Sequence, residues 1–138
     1  MSARSKARKR ALDLLFAAEA RGRAPADFLA EQVAAGERPT NAYTVTLVQG
    51  VAERLGRIDE LISSYSEGWT LARMPAVDRN VLRLGIFEVL WADDVPDAVA
   101  ISEALNLVRE LSTDESPAFV NGVLGNIVRD KEQLIAQQ

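Results

Sequence analysis

The chain has 138 residues, 48% of them hydrophobic, which suffices for a single domain that folds without staples. With no cysteine and no histidine it can form neither disulfides nor thiolate metal sites, and it lacks the commonest general base, so a cytoplasmic binding protein without catalytic centre or cofactor is expected. The net charge of −4 would repel a polyanion, yet it is uneven: residues 1–23 carry seven basic side chains (Arg4, Lys6, Arg8, Lys9, Arg10, Arg21, Arg23) against Asp13 and Glu19, and the remainder is acidic.

Apolar residues recur at helical spacing throughout and no alternating β-branched run occurs, which predicts an all-α chain of about seven helices. Residues 1–10 lack the apolar stretch of a signal peptide, and no run approaches the roughly 18 apolar residues of a membrane span. The first helix is expected from Ala3 to Ala20, with Ala7, Ala11, Leu14, Leu15 and Ala18 on one face, stopping before Gly22.

That helix begins with five cations in ten residues, at the end where the helix dipole disfavours positive charge. The stretch reads either as a solvated terminus or as an arm that neutralises phosphates, and its local cost favours the arm. At about 100° per residue, Arg4 and Arg8 point the way the core side chains point. An unpaired guanidinium cannot be buried, so the first two turns are expected to project past the bundle or to lack regular helix. Phe16 lies about 120° from Arg4, off the apolar stripe, where it either stacks on a base or caps the edge of the core.

A second helix starts near Pro25 and ends before Gly36. A third covers roughly 41–55, with Val45, Leu47, Val48, Val51, Ala52 and Leu55 apolar, and Gly56 marks a break or kink. Ile58, Leu61, Ile62 and Tyr65 continue as a fourth stretch to Gly68. Residues 69–75 then read as a connector pinned by Trp69, dividing a bundle of residues 1–75 from one of residues 76–138.

The fifth helix, 76–92, is apolar on most sides and should be central, leaving a thin polar strip of Asp78, Arg79, Arg83 and Glu88. The strip suits a partner surface if exposed, and Asp78 also suits a first-turn dipole role. After a turn at 93–97, Ile101, Ala104, Leu105, Val108 and Leu111 form an amphipathic stripe. The last helix begins near Ser116, with Pro117 just inside it and Phe119, Val120, Val123, Leu124, Ile127 and Val128 inward. The carboxylates Asp93, Asp94 and Asp97, and Asp114 with Glu115, flank helix starts and are read as dipole partners before metal ligands. Gly122 and Gly125 have the spacing of a close helix contact, and no strand precedes them to make a phosphate loop.

The segments Val99-Ala100-Ile101-Ser102-Glu103-Ala104 and Phe119-Val120-Asn121-Gly122-Val123-Leu124, with Arg10-Ala11-Leu12-Asp13-Leu14-Leu15-Phe16 and Ala76-Val77-Asp78-Arg79-Asn80-Val81-Leu82-Arg83, resemble the NusB transcription antitermination family over essentially the whole chain. The resemblance implies two small helical bundles packed together. It also implies a heterodimer with NusE, a small-subunit ribosomal protein, binding single-stranded boxA RNA in ribosomal RNA leader transcripts within a complex of RNA polymerase and other Nus factors.

By position, the resemblance assigns Arg4, Lys6 and Arg8 to the family's arginine-rich RNA-binding start, with Lys9 and Arg10 extending it. Phe16 falls where the family usually has tyrosine near the RNA, which keeps stacking and loses a hydroxyl hydrogen bond. Phe119 matches an RNA-proximal phenylalanine, Glu115 an acidic position near the same surface, and Asp78 an acidic residue that faces NusE. Two alternatives keep the fold. One is the NusB-like domain of ribosomal RNA cytosine methyltransferases, although no methyltransferase motif follows in these 138 residues. The other is a homodimeric interaction module whose self-contact overlaps the RNA face.

Overall fold

In a computed structural model, described for residues 2–138, the chain forms eight α-helices and one 3-10 turn, with no strand among the described residues. They are α1 (Ala3–Ala20), α2 (Pro25–Ala34), α3 (Ala42–Glu53), α4 (Leu55–Tyr65), the 3-10 turn Leu71–Arg73, α5 (Ala76–Trp91), α6 (Asp97–Leu111), α7 (Ser116–Arg129) and α8 (Lys131–Ala136). No helix is long and apolar enough to cross a membrane.

Two compact units divide between Leu55 and Gly56, upstream of the 69–75 connector. The polar ties of α4 explain the difference. Asp59 on α4 takes a two-pronged hydrogen bond from Arg83 on α5, Nε to Oδ1 at 2.8 Å and Nη2 to Oδ2 at 3.0 Å. At the end of α4, the Tyr65 hydroxyl donates to Asp130 Oδ2 at 2.6 Å, at the α7–α8 junction. Apolar spacing, which the sequence reading followed, carries no trace of such pairs.

In the first unit, α1, α2 and α3 pack pairwise. Ala7, Ala11, Leu14, Leu15 and Ala18 of α1 are buried as the spacing predicts, and Leu12 joins them. In the second unit α5 packs against α6, α7 and α8, and Val81, Leu82 and Ile86 are fully enclosed. The polar strip of α5 is not a surface. Asp78, Arg83 and Glu88 are all buried, and Arg79 Nη1 donates to the carbonyls of Leu71 at 2.8 Å and Met74 at 3.0 Å, tying down the connector. Buried charges persist only when paired and hydrogen-bonded; Arg83 has its partner on α4, and Asp78 has two, the Ser112 and Ser116 hydroxyls.

The close helix approach falls at Gly85 of α5 and not at Gly122 or Gly125. A Cβ built at Gly85 would lie 2.9 Å from Leu124 Cδ1, whereas at Gly122 and Gly125 it meets nothing within 4 Å. Helical rotation accounts for this, since both α7 glycines lie roughly 150° from the stripe of Val120, Val123, Leu124 and Ile127. Leu111, expected inward, is exposed at the end of α6.

The helix expected from Ser116 onward breaks at Asp130, which makes a two-pronged ion pair with Arg129 and accepts from Tyr65. The Arg129 hydrogen bond, then the Tyr65 hydroxyl, lower the Asp130 carboxyl to about 2. The folded value lies below the unfolded one, so the stabilisation is complete above about pH 4 and is lost as pH falls towards 2. Thermal melts of Asp130→Asn against the parent should therefore differ at pH 6 and converge as pH falls from 4 to 2. A gap that stays constant over that window would refute the assignment.

Candidate nucleic-acid interface

The basic arm is regular helix from Ala3 onward. Ser2 supplies the cap, its Oγ accepting from the Ser5 amide at 3.0 Å, which offsets part of the cost of cations at this end. Two side chains from the start of α3 clamp the arm's first turns. Thr44 Oγ1 donates to the Ala7 carbonyl at 3.0 Å, and Asn41 Nδ2 donates to the Ala3 carbonyl at 3.3 Å. The arm therefore neither projects past the bundle nor unravels.

Its cations fall on two faces. Arg4 and Arg8 lie on the side of the helix that the rotation requires, Arg8 buried and Arg4 exposed, and both meet an aromatic ring. The Arg4 guanidinium carbon lies 4.0 Å from the centroid of the Tyr43 ring and that of Arg8 5.7 Å from it. Arg8 is only 4% exposed, so the expectation that it escapes burial is corrected. Periodicity treats arginine as polar and cannot see a ring supplied by another helix. A guanidinium stacks on such a ring with a large part of its hydration already lost.

On the outward face lie Lys6, Lys9, Arg10 and Phe16, within roughly 120° of one another by helical rotation. Lys6 is exposed and makes no ion pair with any described residue, and Arg10 is half-buried. Lys9 Nζ pairs with Asp13 Oδ1 at 2.8 Å. Phe16 is 42% exposed, so a ring face is offered next to the cations. An exposed aromatic beside a line of cations can stack a base while the cations hold phosphates.

The second unit brings Asp78, Glu115 and Phe119 together. With Trp69, Arg73, Met74, Pro75, Thr113 and Ser116 they line a groove of about 530 Å³. Gly68, with φ of +77°, reverses the chain after α4 in a conformation that side chains disfavour, and so presents Trp69. Trp69 is half-exposed rather than a buried pin, and its ring is tilted 50° against Phe119 with centroids 6.1 Å apart.

Asp78 forms the floor. It accepts from Ser112 Oγ at 2.6 Å and from Ser116 Oγ at 2.9 Å, so both carboxylate oxygens are engaged inside the protein. Ser116 Oγ in turn accepts from the Thr113 amide at 3.2 Å, fixing the turn that starts α7. Glu115 is exposed at the rim, just before that helix. No group of acidic residues among those described could hold a metal ion, the clusters at 93–97 and 114–115 included.

Sequence reasoning missed Tyr43, and it read Trp69 as a pin of the connector without placing it in a site. Tyr43 stands outside the apolar stripe of α3, and an aromatic at a helix start, following the Asn41 cap, was the available signal. Trp69 was seen, but its position after a glycine and outside any helix already pointed to exposure.

The sequence pattern of the NusB family matches residues 5–129. The transcription antitermination protein NusB of a Nocardioides species is 69% identical over 134 residues, covering 97% of this chain and 99% of the relative. That of Kineococcus radiotolerans is 57% identical over 136 residues, covering 99% and 100%. Among solved structures, T. maritima NusB superposes with a TM-score of 0.81 at 33% identity, covering 98% of both chains. The antitermination factor NusB, solved with NusE in complex with double-stranded RNA, superposes at 0.77 with 26% identity, covering 91% of this chain and 96% of that one.

Proposed function

This chain belongs to the NusB family, and from that membership we propose that it is a transcription antitermination factor that holds boxA RNA together with NusE. The observation that carries the reading is the outward face of α1, where Lys6, Lys9 and Arg10 flank the exposed Phe16. The cations neutralise phosphates, and Phe16 stacks on a base. Arg4 and Arg8 add positive charge from the Tyr43 side.

In the second unit the groove receives its ligand on Phe119 and Trp69, with Glu115 at the rim meeting a polar or basic group of NusE. Asp78 serves the same contact from beneath, by fixing the turn from which Glu115 and Phe119 project. The protein acts by binding, without chemistry of its own, in the cytoplasm, where the pair joins RNA polymerase and the other Nus factors.

Fluorescence anisotropy with labelled boxA RNA tests this, with and without NusE and at two salt concentrations. Binding should tighten when NusE is present and should favour the single strand over a duplex of the same sequence, because stacking on Phe16 requires an unpaired base. Equal affinity for boxA and a scrambled strand with NusE present would sink the reading. The neighbouring complex with double-stranded RNA makes the duplex comparison informative, since phosphate contacts alone would bind both forms.

A further inference from the structure

Two long cations of the arm converge on one aromatic ring that belongs to another helix. Arg4, exposed on one flank of Tyr43, and Arg8, buried beside it, both have their guanidinium carbons within 6 Å of the ring centroid. The ring is itself held in register with the arm, because its neighbours Thr44 and Asn41 bond the carbonyls of Ala7 and Ala3. An arginine on an open helix face samples many rotamers and loses that freedom when it meets a phosphate. An arginine already stacked has lost it in the free protein. A guanidinium meets a ring through the face of its plane, and it carries five N–H donors in that plane, so one resting on a ring can give part of its edge to a phosphate whatever its other donors meet.

We propose that Tyr43 is a positioning residue for RNA binding, its ring pre-ordering Arg4 so that the guanidinium edge meets a backbone phosphate. The inference rests on the RNA-binding reading above and adds a residue that touches no RNA itself. Arg8 sits underneath, where it fills space beside the ring and contributes charge at short range.

The test uses the full-length protein, boxA RNA with NusE, and the variants Arg4→Ala, Tyr43→Leu, Tyr43→Phe and the double variant Arg4→Ala with Tyr43→Leu. Arg4→Ala removes a charge and should lower the slope of log affinity against log salt by about 0.7. Tyr43→Leu removes the platform and keeps the charge, so affinity should fall about two- to tenfold at every salt concentration with the slope unchanged. Tyr43→Phe keeps the ring and should bind within about twofold of the parent. In the double variant most of the Tyr43→Leu effect should disappear, since there is no Arg4 left to position.

Thermal melts show which variants remain folded, and Tyr43→Phe keeps the test valid if Tyr43→Leu does not. Binding by Tyr43→Leu equal to the parent, full additivity in the double variant, or a Tyr43→Phe loss as large as that of Tyr43→Leu would each overturn the inference and leave the RNA-binding reading standing. A parent protein that binds no RNA overturns both.

Discussion

Replacing Lys6 and Arg10 together by alanine should weaken RNA binding about 25-fold at 0.1 M salt and lower the salt slope by about 1.4. Each phosphate contact to a single strand contributes a slope of about 0.7, which at 0.1 M corresponds to about fivefold in affinity, and two contacts multiply. Neither side chain lies in the core, and Lys6 is exposed, so the melting temperature should move little. Lys9 behaves differently because its ammonium is paired with Asp13 at 2.8 Å. Exposed pairs of this kind are weak, so the main consequence is that Asp13 cancels one positive charge on the RNA face. Asp13→Asn should therefore strengthen binding and steepen the slope, and Lys9→Ala should cost less than either neighbour. Anisotropy titrations from 50 to 200 mM salt read all of these together. A double variant that binds RNA with the parent's slope would remove the outward face from the interface.

The contrast between α1 and α5 shows what a single sequence carries and what it does not. Several helix ends were legible from Gly or Pro, since α1 stops before Gly22, α2 starts at Pro25 and α7 has Pro117 in its first turn, but the break read at Gly56 falls at Arg54, with Gly56 inside α4. The side of the helix on which Arg4 and Arg8 lie was legible as well, because rotation is a property of the helix alone. What they meet was not, since Tyr43 lies on α3 and the pairing exists only once α1 and α3 are packed. The same holds for Arg83, whose partner Asp59 is 24 positions away, and for Trp69 and Phe119, which come together from the connector and α7. Polar and aromatic pairs distant in sequence follow from the fold and do not announce themselves in periodicity. The family resemblance supplied Phe119 for the RNA and Asp78 and Glu115 for the partner, and the groove brings the three together in space while giving Asp78 internal partners.

Those internal partners separate two roles for Asp78. If its carboxylate met NusE directly, Asp78→Asn would lose binding with little change in stability. With both oxygens accepting from Ser112 and Ser116 in a site only 3% exposed, removal of the carboxylate takes two charge-assisted hydrogen bonds from the cluster and leaves the Ser112 and Ser116 hydroxyls only each other and Thr113. Asp78→Ala should therefore cost about 2–3 kcal/mol in urea unfolding, the range for losing charge-assisted hydrogen bonds in a buried site. Asn keeps the shape and one acceptor, and a serine hydroxyl can turn to accept from its amide, so Asp78→Asn should cost about 1 kcal/mol or less. NusE binding should follow the same order, because Ser116 anchors the turn from which Glu115 and Phe119 project: nearly intact in Asp78→Asn and weakened in Asp78→Ala. Phe119→Ala should leave stability within about 1 kcal/mol because the ring is half-exposed, and should weaken boxA RNA binding in the anisotropy titration by removing an aromatic anchor of the kind that dominates interfaces. Isothermal titration with NusE alongside urea melts of the three variants decides the matter. Loss of NusE binding in Asp78→Asn at unchanged stability would place the carboxylate at the interface and overturn its role as the floor of the groove.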